Sequence, residues 1–220
     1  MEENKDFSRG KPEFLPTDEE ISAMFSGTRC LPTDIETTGI KDEGLHIVEL
    51  GIAEVIDGVV TNTGSRIFGG GKSEPKALEV HGITDESRAG KPTFFDKAPY
   101  FKRLLERRTF MEDGKERPNI WIGHNILKFD SKKLINACKT AGCPLRTPDG
   151  YIYYVDTLKL AREHLSAPSF KLEELCPSFG ITHGGHRALG DALSCWYLLH
   201  IIMKRARIPH VNNIKERITL

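Results

Sequence analysis

Long apolar runs and net charge are both missing from this sequence of 220 residues. No stretch approaches the roughly 20 apolar residues that a membrane-spanning helix needs. The first residues, Met1 to Asp6, are too polar and acidic for a secretory signal or a transit peptide. We therefore expect an intracellular protein, cytoplasmic or nuclear, with no membrane partner. Because 31 Lys and Arg residues balance 31 Asp and Glu residues, any anion-binding surface must be a local patch.

Paired cysteine motifs are also missing. The five cysteines are Cys30, Cys138, Cys143, Cys176 and Cys195. Their number is odd and no two of them form a Cys-x-x-Cys pair, which argues against both a disulfide framework and a structural zinc ribbon. The sequence therefore predicts reduced thiols, in line with an intracellular protein.

The composition that remains is that of one ordinary globular domain. Hydrophobic residues make up 39% of the chain and charged residues 28%, with no low-complexity tract and no internal repeat. At 220 residues the chain is long enough for one well-buried domain and short for two. We assign residues 1–26 to an N-terminal extension, residues 27–207 to the domain and residues 208–220 to a peripheral C-terminal tail.

Alternating and helical hydrophobic patterns follow one another along this domain. Thr17 and Glu20 have the spacing of a capping box, which predicts a short helix at the end of the extension. Alternating β-branched residues predict two strands joined by a hairpin at Asp57 and Gly58. The predicted elements are strands at 46–56 and 59–68, a loop or short helix at 79–84, a helix at 94–108, a strand at 118–122, a helix at 129–141, a strand at 151–156 and a helix at 187–207. This order predicts an α/β fold in which helices cover a mixed β-sheet.

Two acidic residues stand two positions apart in the segment 33–39, Thr-Asp-Ile-Glu-Thr-Thr-Gly. On a strand, Asp34 and Glu36 point to one face and Ile35 to the other. Neighbouring carboxylates repel each other, so a divalent cation that prefers oxygen ligands, Mg²⁺ or Mn²⁺, is their natural partner. The alternative is a solvated strand end that runs into a turn. Pro32 cannot donate to a ladder, so this strand is predicted to be short or irregular.

Two further acids lie in the second half of the chain. Asp130 begins the predicted helix at 129–141, where a lone Asp is often only a favourable charge in a first turn. Asp191 lies on the last predicted helix between the small residues Ala188 and Ala192. Because these alanines leave little bulk, that helix can approach a neighbouring sheet and present Asp191 to it.

A histidine precedes the last of these acids by five positions. On a continuous helix this spacing is a rotation of about 140°, so His186 and Asp191 could not share a face if both were helical. The pair Gly184 and Gly185 indicates instead that His186 lies on a mobile loop at the helix entrance. From there it could reach the carboxylates and titrate near neutral pH. The alternative is a surface histidine in a glycine-rich loop.

In this order and spacing the motifs resemble those of the DEDDh 3′–5′ exonucleases, the histidine-containing branch of the DEDD superfamily, which has a ribonuclease-H-like fold. Residues 34–39 are similar to the first motif, the segment His124-Asn-Ile-Leu-Lys-Phe-Asp130 to the second, and His186-x-x-x-x-Asp191 to the third. The second motif contains one more residue than its commonest form. The segments 75–84 and 156–158 also resemble parts of the family, so the likeness runs from about Cys30 to Leu199.

The resemblance implies a 3′–5′ exonuclease that releases 5′-mononucleotides from the free 3′ end of single-stranded RNA or DNA. Two Mg²⁺ or Mn²⁺ ions would be bound by Asp34, Glu36, Asp130 and Asp191. His186 would be the general base that takes a proton from the attacking water. Whether RNA or DNA is the substrate depends on how the site treats the 2′-OH, and the sequence leaves this open together with any protein partner.

The resemblance also implies which residues contact the substrate. They are Thr37, Thr38, His81, Gly82, Ile83 and Asn125. The two threonines and the asparagine would hold backbone or sugar, and the other three would pack against the terminal base. Candidate phosphate contacts are Arg103, Arg107, Lys128, Lys132 and Lys133.

Two other functions fit parts of the sequence. A non-catalytic nucleic-acid-binding module could keep the same fold, although the intact acids and His186 speak against it. A zinc hydrolase could use His183, His186 and Cys176, but these residues lack a familiar ligand spacing.

Overall fold

The computed structural model describes residues 15–41 and 45–220, so most of the predicted N-terminal extension lies outside the described residues. The strands are β1 (Arg29–Thr37), β2 (Ile47–Ile56), β3 (Val59–Ile67), β4 (Asn119–Gly123), β5 (Tyr151–Asp156) and β6 (Glu216–Thr219). The helices are α1 (Asp18–Phe25), α2 (Pro75–His81), α3 (Asp85–Arg88), α4 (Phe94–Leu105), α5 (Asp130–Thr140), α6 (Thr157–His164), α7 (Leu172–Ser178) and α8 (Ala188–Arg205), with a 3₁₀ turn at Val211–Asn213. Within the described ranges, none of these helices has the length and apolar character needed to cross a bilayer.

The strands form one mixed sheet in the order β3-β2-β1-β4-β5-β6. β1 pairs parallel with β4, and β4 pairs parallel with β5, whereas β2, β3 and β6 run antiparallel to their neighbours. The predicted hairpin is confirmed, because Asp57 and Gly58 both have positive φ (52° and 84°), as a two-residue type I′ turn requires. The predicted mixed sheet covered by helices is also confirmed. The carboxyl ends of β1, β4 and β5 meet at one end of this sheet.

β1 is longer than its proline predicts. It spans nine residues and pairs with β4 through Pro32, opposite Ile122. Its antiparallel ladder with β2 is interrupted between Cys30 and Thr33, and the register is the same on both sides. A missing N–H at proline disturbs one ladder and leaves the other intact. The strand is therefore irregular, as expected, but not short.

Alternate residues of β1 pack on opposite faces of the sheet. Cys30 belongs to a core cluster beneath α1, α6, α7 and α8, whereas Leu31 and Ile35 belong to a cluster beneath α4 and α5. Asp34 and Glu36 have the same parity as Cys30 and therefore face α8. The predicted separation of these acids from Ile35 is confirmed.

The helix predicted at the end of the N-terminal extension is confirmed as α1. Glu20 N donates to Thr17 Oγ1 (3.2 Å), and Thr17 N donates to Glu20 Oε2 (2.7 Å), which completes the capping box. Phe25 is fully buried, and its ring centroid lies 4.4 Å from that of Trp196 on α8. α1 is therefore packed into the domain.

The prediction of a peripheral C-terminal tail is wrong for residues 216–219. These residues form the edge strand β6, whose register with β5 runs from Tyr151↔Thr219 to Tyr154↔Glu216. The Tyr154 hydroxyl also donates to Glu216 Oε2 (3.0 Å). A segment of four residues is too short for an alternating pattern, so only its pairing partner reveals it as a strand.

Candidate active site

The carboxyl-terminal half of β1 carries the first two acids of the site. Asp34 and Glu36 lie on the same face, and one carboxylate oxygen of each lies within 4.8 Å of the other and of an oxygen of Asp191. The period-two geometry of the strand accounts for the first pair. Asp191 arrives from α8, more than 150 residues later in the chain.

α8 can bring Asp191 to this pair because small residues line the path where it crosses the sheet. A Cβ on Gly51 of β2 would collide with the backbone at the start of α8, and one on Gly190 would press against the preceding loop. The alanines predicted to permit this approach, Ala188 and Ala192, are fully buried. The two glycines are a further requirement that only the packing reveals.

Asp130 completes the group from the opposite side. It is the first residue of α5, is buried, and its Oδ1 accepts a hydrogen bond from the backbone N of Ile35 (3.1 Å). This bond ties the start of α5 to the strand that carries Asp34 and Glu36. The structure therefore brings all four predicted acids to one cleft.

Burial shifts the pKa of each of these acids upward. It raises the pKa of Glu36 to about 8 and that of Asp130 to about 7. The pKa of Asp34 is raised well above its usual range, mainly by burial and secondarily by repulsion from the neighbouring carboxylates. The pKa of Asp191 is also raised by burial. The protein therefore holds these groups where their charged forms are poorly stabilised.

A nearby acid, Glu49, is stabilised in its charged form by hydrogen bonds from the protein. Glu49 lies opposite Glu36 in the β1–β2 register and is almost fully buried. Its carboxylate accepts from Arg187 Nε (3.0 Å), Arg187 Nη2 (2.9 Å) and Ala188 N (3.1 Å). Although burial raises it, the pKa of Glu49 is held below its usual value by these bonds and by one from Ser65.

In the described part of the chain, no Lys or Arg side chain donates a hydrogen bond to these four acids as Arg187 does to Glu49, so they suit a divalent cation. Among residues 15–41 and 45–220, Asp191 Oδ1 is buried and has no hydrogen-bond partner. His183 Nε2 lies 3.1 Å from this oxygen without forming a hydrogen bond to it. A set of carboxylate oxygens is the donor type that Mg²⁺ and Mn²⁺ prefer. The residues present therefore fit a divalent metal.

His186 lies where the glycine pair predicts, on the loop before α8. Its backbone has positive φ (55°), and its side chain is 35% exposed. Nε2 lies 2.8 Å from Glu173 Oε2, and Nδ1 lies 4.0 Å from Asp191 Oδ2. The loop position and the approach to Asp191 are confirmed. Glu173 was not among the predicted site residues, and no spacing in the sequence points to it.

The structure does not place Cys176 with the other two residues of the zinc hypothesis. The described residues that could hold an ion around His183 and His186 include Asp191 but not Cys176. Cys176 lies on α7 and is fully buried in the core, and this burial raises the pKa of its thiol to about 12. Cys176 therefore lies apart from the ligand atoms that the two histidines and Asp191 could offer to an ion. His183 instead lies beside Asp191 as an unpredicted member of the site.

Most of the predicted substrate contacts do not reach the cleft. Asn125 lines it, with a positive φ of 66°. Thr37 Oγ1 donates to Gly39 O (2.6 Å), and Thr38 Oγ1 accepts from His46 N (3.0 Å), so both hydroxyls hold their own turn.

The predicted base-packing residues at the end of α2 also do not line the cleft. His81 and Ile83 are buried, and His81 Nδ1 accepts from Ile83 N (3.0 Å). Gly82 is the left-handed cap of α2 (φ 67°). The residue of this segment that lines the cleft is Val80, which is 48% exposed. The packing of His81, Gly82 and Ile83 against a terminal base stays a prediction, and Val80 is the neighbour that is exposed to the cleft.

The predicted phosphate contacts also lie elsewhere. Arg107 binds Glu54 at the other end of β1. Lys133 is buried and donates to Ile40 O (3.0 Å). Arg103, Lys128 and Lys132 are exposed but do not line the cleft. Lys171, just before α7, is the lysine that does.

The cleft has a volume of about 380 Å³. Its acidic floor is flanked by the apolar side chains of Val80, Phe129 and Leu172, together with Asn125 and Lys171. Such a mixture provides apolar surface for a base and polar groups for sugar or phosphate.

The loop after β4 is fixed from behind by two polar side chains. Asp156, at the end of β5, accepts from Asn125 N (2.9 Å) and from the first turn of α6. His124 lies 3.0 Å from Thr157 Oγ1 and 2.7 Å from Phe170 O. These bonds connect β4, α6 and the segment that leads into α7, so both walls of the cleft are anchored to the sheet.

The fold and this acidic cleft are those of a metal-dependent nuclease with a ribonuclease-H-like fold. A family model described as Exonuclease (RNase_T) matches residues 32–199, and the chain therefore belongs to this family, a group of 3′–5′ exonucleases in the DEDD superfamily. The predicted family, fold and enzyme class are confirmed, and the non-catalytic alternative is set aside.

Curated relatives include the DNA polymerase III subunit epsilon of two bacteria. That of Buchnera aphidicola is 29% identical over 178 residues, which cover 78% of this chain and 69% of the relative. That of Aquifex aeolicus is 32% identical over 165 residues, which cover 72% of each.

Solved structures show the same fold. The zinc-bound complex of E. coli exonuclease I with single-stranded DNA has a TM-score of 0.67 and 18% identity, and the match covers 82% of this chain and 41% of that one. Exonuclease X in complex with 5′-overhanging duplex DNA has a TM-score of 0.54 and 24% identity, covering 80% and 90%. This chain thus spans less than half of exonuclease I.

Proposed function

We propose that this protein removes nucleotides one at a time from the free 3′ end of single-stranded DNA and releases 5′-mononucleotides. The observation that carries the proposal is the group of four acids, two buried and two half-buried, beside His186 in an open cleft. In the described part of the chain, no Lys or Arg forms an ion pair with Asp34, Glu36 or Asp130, and Arg187 is engaged by Glu49.

The acids are proposed to hold two Mg²⁺ or Mn²⁺ ions. Asp34, Glu36 and Asp191 would supply the ligands that lie closest together, and Asp130 would supply the fourth. When bound, such ions polarise a phosphodiester and neutralise the charge that develops on it during hydrolysis.

The other residues of the cleft would orient and activate the reactants. His186 would accept a proton from the attacking water. Val80 and Phe129 would contact the terminal base, and Asn125 and Lys171 would contact sugar and phosphate.

The names of the relatives and the ligands in the similar structures favour DNA over RNA as the substrate. The relatives are named as DNA polymerase subunits, and the solved structures contain single-stranded or overhanging DNA. RNA remains the second substrate to test, because no residue of the cleft has been assigned to a 2′-OH.

The test is digestion of matched DNA and RNA strands that carry a label at either end. With Mg²⁺ or Mn²⁺, a 5′-labelled DNA strand should give a descending ladder, and a 3′-labelled strand should release its label as a mononucleotide. A 3′-phosphate should slow the reaction, and EDTA should abolish it. Rapid cutting of a circular strand would identify an endonuclease, and full activity in EDTA would exclude the metal-dependent mechanism.

A further inference from the structure

The two nitrogens of His186 have different surroundings. Nε2 lies 2.8 Å from Oε2 of Glu173, the second residue of α7. An ionised carboxylate only accepts hydrogen bonds, so the proton of a neutral His186 resides on Nε2. Nδ1 is then the unprotonated nitrogen, and it faces Asp191 Oδ2 at 4.0 Å.

We propose that Glu173 is a positioning residue that fixes the orientation and tautomer of His186, so that Nδ1 accepts the proton of the attacking water. The inference rests on the proposed function, in which His186 is the general base. In this step, the proton moves from water to Nδ1 while the water oxygen bonds to phosphorus. The P–O3′ bond breaks, and the leaving oxygen takes a proton from solvent. Glu173 stays ionised and stabilises the imidazolium through Nε2–H.

The neighbouring histidine cannot take this role in the same arrangement. His183 Nδ1 accepts a hydrogen bond from Gly185 N (3.1 Å), so its proton resides on Nε2, the nitrogen that faces Asp191. Its basic nitrogen is turned into its own loop. Of the two histidines, His186 therefore presents a proton acceptor to the acids, and the contact with Glu173 makes the difference.

Glu173 is placed by the fold as well as by its neighbours. Leu175 and Cys176 on the same helix are buried in the core. Phe170, just before α7, is tied to the end of β4 through His124 Nε2 (2.7 Å). α7 is thus anchored at its start and along its inner face, which holds Glu173 over the cleft.

The adjacent acid offers a matched control. Lys171 Nζ lies 3.3 Å from Glu173 Oε1 and 3.4 Å from Glu174 Oε1, so both acids share one lysine. Of these two glutamates, Glu173 is the one that contacts His186. Replacing either acid removes the same charge from the same turn, and replacing Glu173 alone removes the bond to the histidine.

The expected effect is smaller than that of a buried orienting acid. Replacing the aspartate of the serine-protease triad by its amide lowers kcat about 10⁴-fold. Glu173 is 36% exposed, so water can partly replace it. A loss of about 10- to 100-fold is expected, the range found for partners that orient a histidine at a metal site.

The experiment measures kcat and KM on a 5′-labelled single strand with Mg²⁺ for variants made in two backgrounds, wild type and His186→Ala. Glu173→Ala should lower kcat about 10- to 100-fold and leave KM unchanged. Glu173→Gln should recover part of this loss, because its amide oxygen can still accept from Nε2–H. Glu174→Ala should match the wild type. In the His186→Ala background, Glu173→Ala should have no further effect.

Each other outcome has a distinct meaning. An equal loss from Glu173→Ala in both backgrounds would show that Glu173 does not act through His186, and wild-type kcat in Glu173→Ala would likewise overturn the inference. If His186→Ala itself keeps wild-type turnover, the general-base proposal fails first. Thermal unfolding of each variant identifies any that has lost α7, and Glu173→Gln keeps the comparison possible in that case.

Discussion

The two ends of β1 bury acids in opposite ways. At its amino-terminal end, Arg29 Nε lies 2.5 Å from Glu54 Oε1, and Arg107 binds the same oxygen. Arg29 also donates to Leu104 O (2.9 Å) and Asn119 Oδ1 (3.1 Å), so the pair is satisfied on both sides. At its carboxyl-terminal end, the strand gathers four acids that have no such cation among the described residues.

This difference separates an acid that stabilises the fold from the acids that are proposed to take part in the reaction. Glu54 is 5% exposed, and its charge is neutralised within the protein. Asp34 and Glu36 are held with raised pKa values beside two other acids. A buried charge without a partner is costly, and the fold tolerates this cost where a ligand from solvent can remove it.

The largest expected effect is the loss of one acid at the reactive end. Asp34→Asn should lower activity about 10⁴-fold, as loss of a central catalytic residue does, and should weaken Mg²⁺ binding. The metal-free variant should be as stable as the wild type or more so, because the substitution relieves repulsion. Rates, calorimetric Mg²⁺ titration and urea unfolding measure these outcomes. A fully active variant would show that Asp34 is not a metal ligand.

The next effect tests the histidine apart from the acids. His186→Ala should lower the rate about 10²- to 10⁴-fold, the usual share of a general base. Mg²⁺ affinity should be almost unchanged, because His186 is not proposed as a ligand. Single-turnover kinetics and the same Mg²⁺ titration check both statements. A parallel loss of metal affinity would move His186 into the metal site.

The third effect belongs to the structural end of the strand. Glu54→Gln leaves the fully buried Arg29 without its counter-charge and should destabilise the protein by about 3 kcal/mol. Activity per folded molecule should stay at the wild-type level, because the site lies at the opposite end of β1. Urea unfolding and rates corrected for the folded fraction measure the two quantities. Loss of activity in the folded variant would contradict the assignment of a purely structural role to the amino-terminal end of β1.

The smallest expected effect is the pH dependence of stability that comes from one buried histidine, His200. His200 lies among Phe25 and Trp196, its Nε2 has no hydrogen-bond partner among the described residues, and burial lowers its pKa to about 3. Below about pH 6.5 the unfolded chain binds a proton that the folded protein does not. Stability should therefore fall as the pH drops, by about 1.4 kcal/mol at pH 5.5.

The control for this effect is His200→Leu, which removes the titrating group. The difference in unfolding free energy between pH 7.5 and 5.5 should be smaller in the variant than in the wild type by about 1.4 kcal/mol. An unchanged difference would mean that His200 is protonated in the folded protein or does not titrate in the unfolded chain.

Local patterns in the sequence predict the parts of the site that one element sets by itself. The common face of Asp34 and Glu36 follows from the two-residue period of a strand. The Asp57–Gly58 turn and the capping box at Thr17 follow from local backbone and hydrogen-bond requirements. The loop position of His186 follows from the helical angle between it and Asp191.

The tertiary structure decided everything that depends on residues far apart in the chain. The contact of Glu173 with His186, the presence of Val80 in place of His81 at the cleft, and the pairing of β6 have no local pattern. Burial and repulsion among acids from three separate elements raise their pKa values. Burial and repulsion between distant residues depend on the tertiary structure. The sequence by itself therefore determined which residues are candidates for the chemistry, and packing determined their distances, their partners and the direction of their pKa shifts.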